Sequence, residues 1–105
     1  MDERTREQVQ AMNDILAERQ RQDRKWGEQN HHPLVWVSIL GEEYGETCQA
    51  VNETIFDNGP LERKKGGLDN IRKEAVQVAA VAMALVEAID RNRQEWECVH
   101  EAHWI

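Results

Sequence analysis

Three glutamates crowd one short run of the chain, Glu42, Glu43 and Glu46 in ILGEEYGETCQA, and Glu74 in IRKEAVQVAAVA follows 28 residues after Glu46. Both groups interrupt otherwise apolar helix faces. An ionised carboxylate in such surroundings is costly unless a positive charge lies beside it. Two helices that turn acids toward each other describe a site for a hard divalent cation, which takes oxygen ligands.

Helical phase decides whether the acids can meet. At about 100° per residue, Leu40, Glu43, Thr47, Ala50 and Val51 fall within about 60° of Trp36. Glu43 therefore sits inside the apolar stripe. Glu46 lies on its shoulder and Glu42 slightly further outward. In the later segment Ile71, Ala75, Val78, Ala82, Leu85 and Ile89 share one face, with Glu74 among them and Gln77 on the shoulder. The two patterns are near mirror images.

The elements that must carry these residues are helices, since strand-like alternation of β-branched residues is absent. The pattern predicts a first helix over about Glu3 to Arg24, with a thin apolar stripe through Val9, Met12, Ile15 and Leu16. It ends near Gly27 and Pro33. A second helix starts at Pro33, a residue suited to the first turn, and runs to about Thr54. The segment FDNGPLERKKGGLDN has loop chemistry, with Asp69 or Asn70 placed to cap a third helix reaching about Arg91. The remainder, NRQEWECVHEAHWI, reads as a short helix or a docked tail.

From Ala75 to Ile89 only Gln77 and Glu87 are polar, so the third helix is apolar nearly all round. Such a helix is buried on several sides, and about four helices from 105 residues do not readily enclose it. Its alanines, Ala79, Ala80, Ala84 and Ala88, admit close approach by another helix. A homo-oligomer, dimer or tetramer, is the expectation.

Composition sets the outer bounds. A chain of 105 residues, 31% charged, is expected to form one domain, 1–105, with a modest core. No apolar run is long enough for a membrane span, and MDERTREQ has no apolar leader. Cys48 and Cys98 form no CxxC pair, so the expectation is a reducing cytoplasm. A net charge of −7 argues against binding duplex nucleic acid. It still permits an anionic small molecule, because a bound metal ion inverts the field of an acidic pocket.

The run Glu42-Glu43-x-x-Glu46 followed by Glu74-x-x-Gln77 resembles the EExxE…ExxD signature of the MazG-like, all-α nucleoside triphosphate pyrophosphohydrolases. The segments RKWGEQNHHPLVWVSILGEEYGE and RKEAVQVAAVAMALVEAIDR are similar in texture to small members of that superfamily, over about residues 20 to 92. The resemblance implies an all-α, MazG-like helical bundle of about four helices, completed by oligomerisation. It also implies magnesium, with manganese as a substitute, gripping the triphosphate of a nucleoside triphosphate. The products would be a nucleoside monophosphate and pyrophosphate. Carried over by position, Glu43, Glu46 and Glu74 would be metal ligands, and Gln77 stands where the family has its fourth acid. Glu42 would be the catalytic residue, a base that orients the attacking water.

Gln77 is a departure from that pattern. Its amide oxygen can ligate a hard cation but brings no negative charge. Glu53 and Glu87 are the acids available by sequence to compensate, though helical phase places neither at the site. The rival reading is a non-catalytic helical oligomer, a binding or regulatory module with a degraded acidic site.

Further candidates surround this core. Lys25 and Trp26 suit a phosphate and a base respectively. Lys64 and Lys65 in the Gly-rich segment suit a phosphate clamp. His31 and His32 precede Pro33 and diverge in direction, which makes them poor joint ligands. Cys98, His100 and His103 are soft-metal ligand types gathered by coincidence at the tail. Trp36, Trp96 and Trp104 read as core or interface aromatics.

Overall fold

The computed structural model describes residues 1–56 and 67–103, with side chains as far as Glu97. Three helices account for nearly all of them: α1 (Glu3–Trp26), α2 (Pro33–Ile55) and α3 (Gly67–His103). Each boundary has a local cause. The Asp2 carboxylate accepts the Thr5 amide at 2.7 Å and caps α1. Gly27 ends α1 with φ of 73°, a left-handed conformation suited to glycine, and its N–H donates to the Asp23 carbonyl. Pro33 opens α2, and His32 Nδ1 caps it by accepting the Leu34 amide at 3.1 Å.

The third helix departs from expectation at both ends. Asp69 and Asn70 lie within its first turn rather than capping it. Past Arg91 the helix continues to His103, so the tail extends α3 and no separate fourth helix forms among the described residues. Nothing in NRQEWECVHEAH breaks a helix, since it contains neither glycine nor proline.

α3 is the central element. It packs against both α1 and α2, which barely touch each other. Its most buried residues are Ala80, Val81, Ala84 and Ala88; the last three cluster with Trp36, with Ile39, Leu40, Leu85 and Trp96 at the margin. The predicted face through Ile71, Ala75, Val78, Ala82, Leu85 and Ile89 is only half-buried, and Ala75 is exposed. A helix apolar nearly all round has no single preferred phase. Its neighbours settle on the ridge Ala80–Ala84–Ala88, where small side chains admit the closest approach. At the far end of α2 the buried Thr54 hydroxyl donates to the Gly67 carbonyl, joining α2 to the start of α3.

α1 is attached differently. Of its predicted apolar stripe only Ile15 is half-buried, whereas Val9, Met12 and Leu16 are exposed. Polar contacts hold it instead. Arg19, 7% exposed, donates to Glu87 at 2.8 Å and to Asp23 at 2.9 Å, and Arg72 reaches Asp14. Arg91 of α3 pairs with Glu28 at 2.7 Å and donates to Asn30 and the Gln29 carbonyl, which pins the linker between α1 and α2.

The assembly of helices is open. Its radius of gyration is 17.2 Å and its long axis 55 Å, against about 13 Å for a compact chain of this length. No helix of the described residues is long and apolar enough to cross a membrane.

Replacing Arg19 by methionine keeps most of its volume and removes its hydrogen bonds. Glu87 and Asp23 are 41% and 52% exposed and can be rehydrated, so the expected loss is about 1–2 kcal/mol, not the larger cost of a fully buried pair. Urea unfolding of Arg19→Met checks this, and an unchanged midpoint contradicts it.

Candidate metal centre

The close packing of α2 on α3 brings three carboxylates together. Glu43 and Glu46, one turn apart on α2, and Glu74, in the second turn of α3, each place a carboxylate oxygen within 4.8 Å of the other two. Glu43 and Glu74 are half-buried and Glu46 is exposed. One oxygen of Glu43 and one of Glu74 are buried without a hydrogen-bond partner. Buried polar atoms are nearly always satisfied, so two orphaned anionic oxygens in one cluster need a physical explanation.

Proton affinity reports the same crowding. The Glu43 carboxyl is raised above its ordinary value of 4.5, first by desolvation and then by Glu46, Glu74, Glu18 and Glu42. Glu74 is raised by desolvation and by the neighbouring Glu46, with Lys73 partly opposing. Like charges gathered out of water favour protonation.

The donor set fits a hard divalent cation. It consists of carboxylate oxygens, and two oxygens bound to one magnesium ion at about 2.1 Å lie no more than about 4.2 Å apart. Three such oxygens on one octahedral ion include at least two neighbouring pairs about 3 Å apart, so a set lying within 4.8 Å of one another has to close by up to about 2 Å through side-chain rotation. Glu43, Glu46 and Glu74 are the residues that would hold it. Glu42 stands outside the trio, exposed on α2.

Beside the acids lies a cavity of about 310 Å³, whose walls include Lys25, Trp26, Trp36, Glu43, Glu46 and Gln77. Gln77 thus shares a wall with two of the acids. Trp26 is 61% exposed, with the Lys25 ammonium 4.9 Å from its ring centroid. The aromatic is not docked on the core. Trp36 is, at 3% exposure.

Other predicted residues have structural partners. His31 packs edge-on against Trp36 at 5.1 Å between centroids, while His32 caps α2. Glu87 is bonded to Arg19, and Glu53 accepts from the Gln49 amide at 3.1 Å, so neither compensates for Gln77. Lys64, Lys65 and Trp104, and the side chains of Cys98, His100 and His103, lie outside the described residues.

The chain matches no protein-family model, no curated protein and no solved structure.

α1 contributes a residue that the sequence reading missed. Glu18, its side chain 13% exposed, lines the same cavity and adds to the charge on Glu43. It is held by Arg21 through contacts of 2.7 and 2.8 Å, and that guanidinium keeps its carboxyl below the usual range. The available signal was the spacing Ile15–Glu18–Arg19–Gln22, an i, i+3, i+4, i+7 stripe. Its polarity hid it.

The raised carboxyls fix the sign of a pH effect. Protonated, they add stability; that stability is fully present below the ordinary value of 4.5 and is lost as pH rises through the raised folded values. Metal-free protein should therefore become less stable from about pH 4.5 toward neutrality. Magnesium should reverse the loss at neutral pH, and Glu74→Gln should flatten both responses. Thermal unfolding across that range, with and without magnesium, reads all three.

Proposed function

We propose that the chain is a magnesium-dependent nucleoside triphosphate pyrophosphohydrolase of the MazG-like type. The observation that carries this reading is the pair of buried, unpartnered oxygens on Glu43 and Glu74, within reach of Glu46 and beside a cavity carrying both cationic and aromatic groups. Carboxylates brought together with only partial counter-charge, from Lys73, are explained by a cation that arrives with a polyphosphate. Bound there, magnesium, or manganese in its place, offsets the charge of the phosphates and polarises a phosphoryl oxygen.

The chain's own groups supply the rest. Lys25 and Arg21, both on the cavity wall, hold phosphate oxygens by charge-assisted hydrogen bonds. The exposed Trp26 ring offers a face for a base to stack on. Glu42, exposed one residue before Glu43, orients the attacking water and takes its proton. The water oxygen bonds to the α-phosphorus, the bond to the bridging oxygen breaks, and pyrophosphate leaves a nucleoside monophosphate behind. Gln77 on the wall can give an amide oxygen to a hard cation without adding charge.

Neutral Gln77 favours one rival, a non-catalytic helical module that keeps the fold and a weakened acidic site. The two readings diverge in solution. Purified protein with magnesium and a panel of nucleoside triphosphates should release monophosphate and pyrophosphate. Glu43→Gln and Glu74→Gln should each lower that release by at least about a hundredfold, and Gln77→Glu should tighten magnesium binding in a calorimetric titration. Full turnover in both glutamine variants refutes the enzyme. Absence of magnesium-linked nucleotide affinity favours the module.

A further inference from the structure

Glu18 is the most enclosed acid of α1. Its side chain is 13% exposed, against 34% for Asp14 and 52% for Asp23, with Glu3 and Glu7 on the surface. An enclosed carboxylate needs hydrogen-bond partners. Those of Glu18 all come from its own helix: Arg21 at 2.7 and 2.8 Å and Gln22 at 3.2 Å. Asp14, by contrast, accepts from Arg72 of α3. The bonds of Glu18 therefore fasten α1 to neither neighbour.

What Glu18 faces adds a cost. The cavity beside the clustered acids has walls from all three helices, with Glu18 on the α1 wall, Glu43 and Glu46 on the α2 wall and Gln77 on the α3 wall. Glu18 thus turns toward residues of its own sign, and its charge bears on Glu43 more strongly than that of Glu42, the next residue in the chain. Lys73 attracts both Glu18 and Glu74 but forms an ion pair with neither among the described residues. Gln77 brings no charge at all, so Glu18 completes a set of four carboxylates with Glu43, Glu46 and Glu74.

We infer that Glu18 is a positioning residue of the metal centre, acting on the cation across a bound water, and that Arg21 withholds it until a polyphosphate arrives. The inference rests on the metal centre of the proposed function. Glu18 does not join the three acids whose oxygens lie within 4.8 Å of one another, which sets it apart from the direct ligands. Magnesium keeps several of its waters, and a carboxylate beyond them accepts their protons in hydrogen bonds. Arg21 now spans both Glu18 oxygens. The same guanidinium fork fits two oxygens of a phosphate, and Arg21, 49% exposed on the cavity wall, is able to turn to one. The ion pair within α1 is then exchanged for two, guanidinium with phosphate and carboxylate with cation. Cation and polyphosphate thereby favour each other's binding.

Manganese titrated into the full chain without nucleotide, with the free ion counted by electron paramagnetic resonance, tests the assignment. Glu18→Gln should weaken binding roughly tenfold, the effect of one charge on a divalent ion across a water layer. Glu7→Gln removes the same charge from α1 about three turns away and should leave binding unchanged. Arg21→Gln should tighten binding at least about threefold, and that gain should vanish in the Glu18→Gln background. Arg21→Gln alone decides the matter if Glu18→Gln loses its far-ultraviolet helical signal. Equal affinity of wild type and Glu18→Gln, equal losses from Glu18→Gln and Glu7→Gln, an Arg21→Gln gain that persists without Glu18, or no manganese binding by wild type overturns the assignment. Turnover of nucleoside triphosphate is a separate measurement. The expected manganese pattern without turnover upholds Glu18 and refutes the hydrolase, whereas turnover with unchanged manganese affinity in Glu18→Gln refutes Glu18 alone.

Discussion

The approach of α2 to the alanine ridge of α3 is the constraint from which the rest follows. Ala80, Ala84 and Ala88 occupy one line of the helix and present methyl groups where leucines would hold a neighbour further off. Trp36 fills the remaining space with one large, flat side chain. The resulting separation is short enough for acids on the two helices to share a site. Bulkier residues on the ridge would push Glu74 away from Glu43 and dissolve the cluster without altering any acid.

That geometry creates an electrostatic problem the protein does not solve internally. Desolvation and mutual repulsion both raise Glu43 and Glu74, and Lys73 offsets only part of the charge on Glu74. The basic residues of the cavity wall do not neutralise these acids in the ligand-free chain, where Arg21 holds Glu18 and the Lys25 ammonium lies over the Trp26 ring. A site left unfavourable in this way is a binding site in the thermodynamic sense. A ligand that relieves the repulsion gains affinity from what the fold has lost in stability.

Much of this was legible in the residues. The all-α character and the inward phase of Glu43 follow from α2, whose polar and apolar faces are distinct. The limits appear where contrast is missing. α3 is apolar nearly all round, so periodicity named the Ile71–Val78–Leu85 face while packing selected the alanine ridge. α1 is polar nearly all round, so its thin apolar stripe through Val9, Met12 and Leu16 does not mark its buried side, which Glu18 and Arg19 occupy instead. Burial of a guanidinium depends on which acids surround it, and that is a fact of tertiary structure. The continuation of α3 beyond Arg91 shows the same limit, because the absence of a breaker is a weaker signal than its presence.

The contrasting attachment of α1 has a mechanical consequence. Arg19 and Arg72 fasten it with ion pairs, whereas α2 and α3 are joined by apolar surface. Ionic strength acts oppositely on the two joints, since mobile counter-ions screen the exposed Arg72–Asp14 pair and high concentrations of excluded salts strengthen hydrophobic burial. Concentrated sulfate therefore loosens the outer rod while tightening the inner two, and the wall of the cavity that carries Lys25 and Trp26 belongs to the rod that loosens.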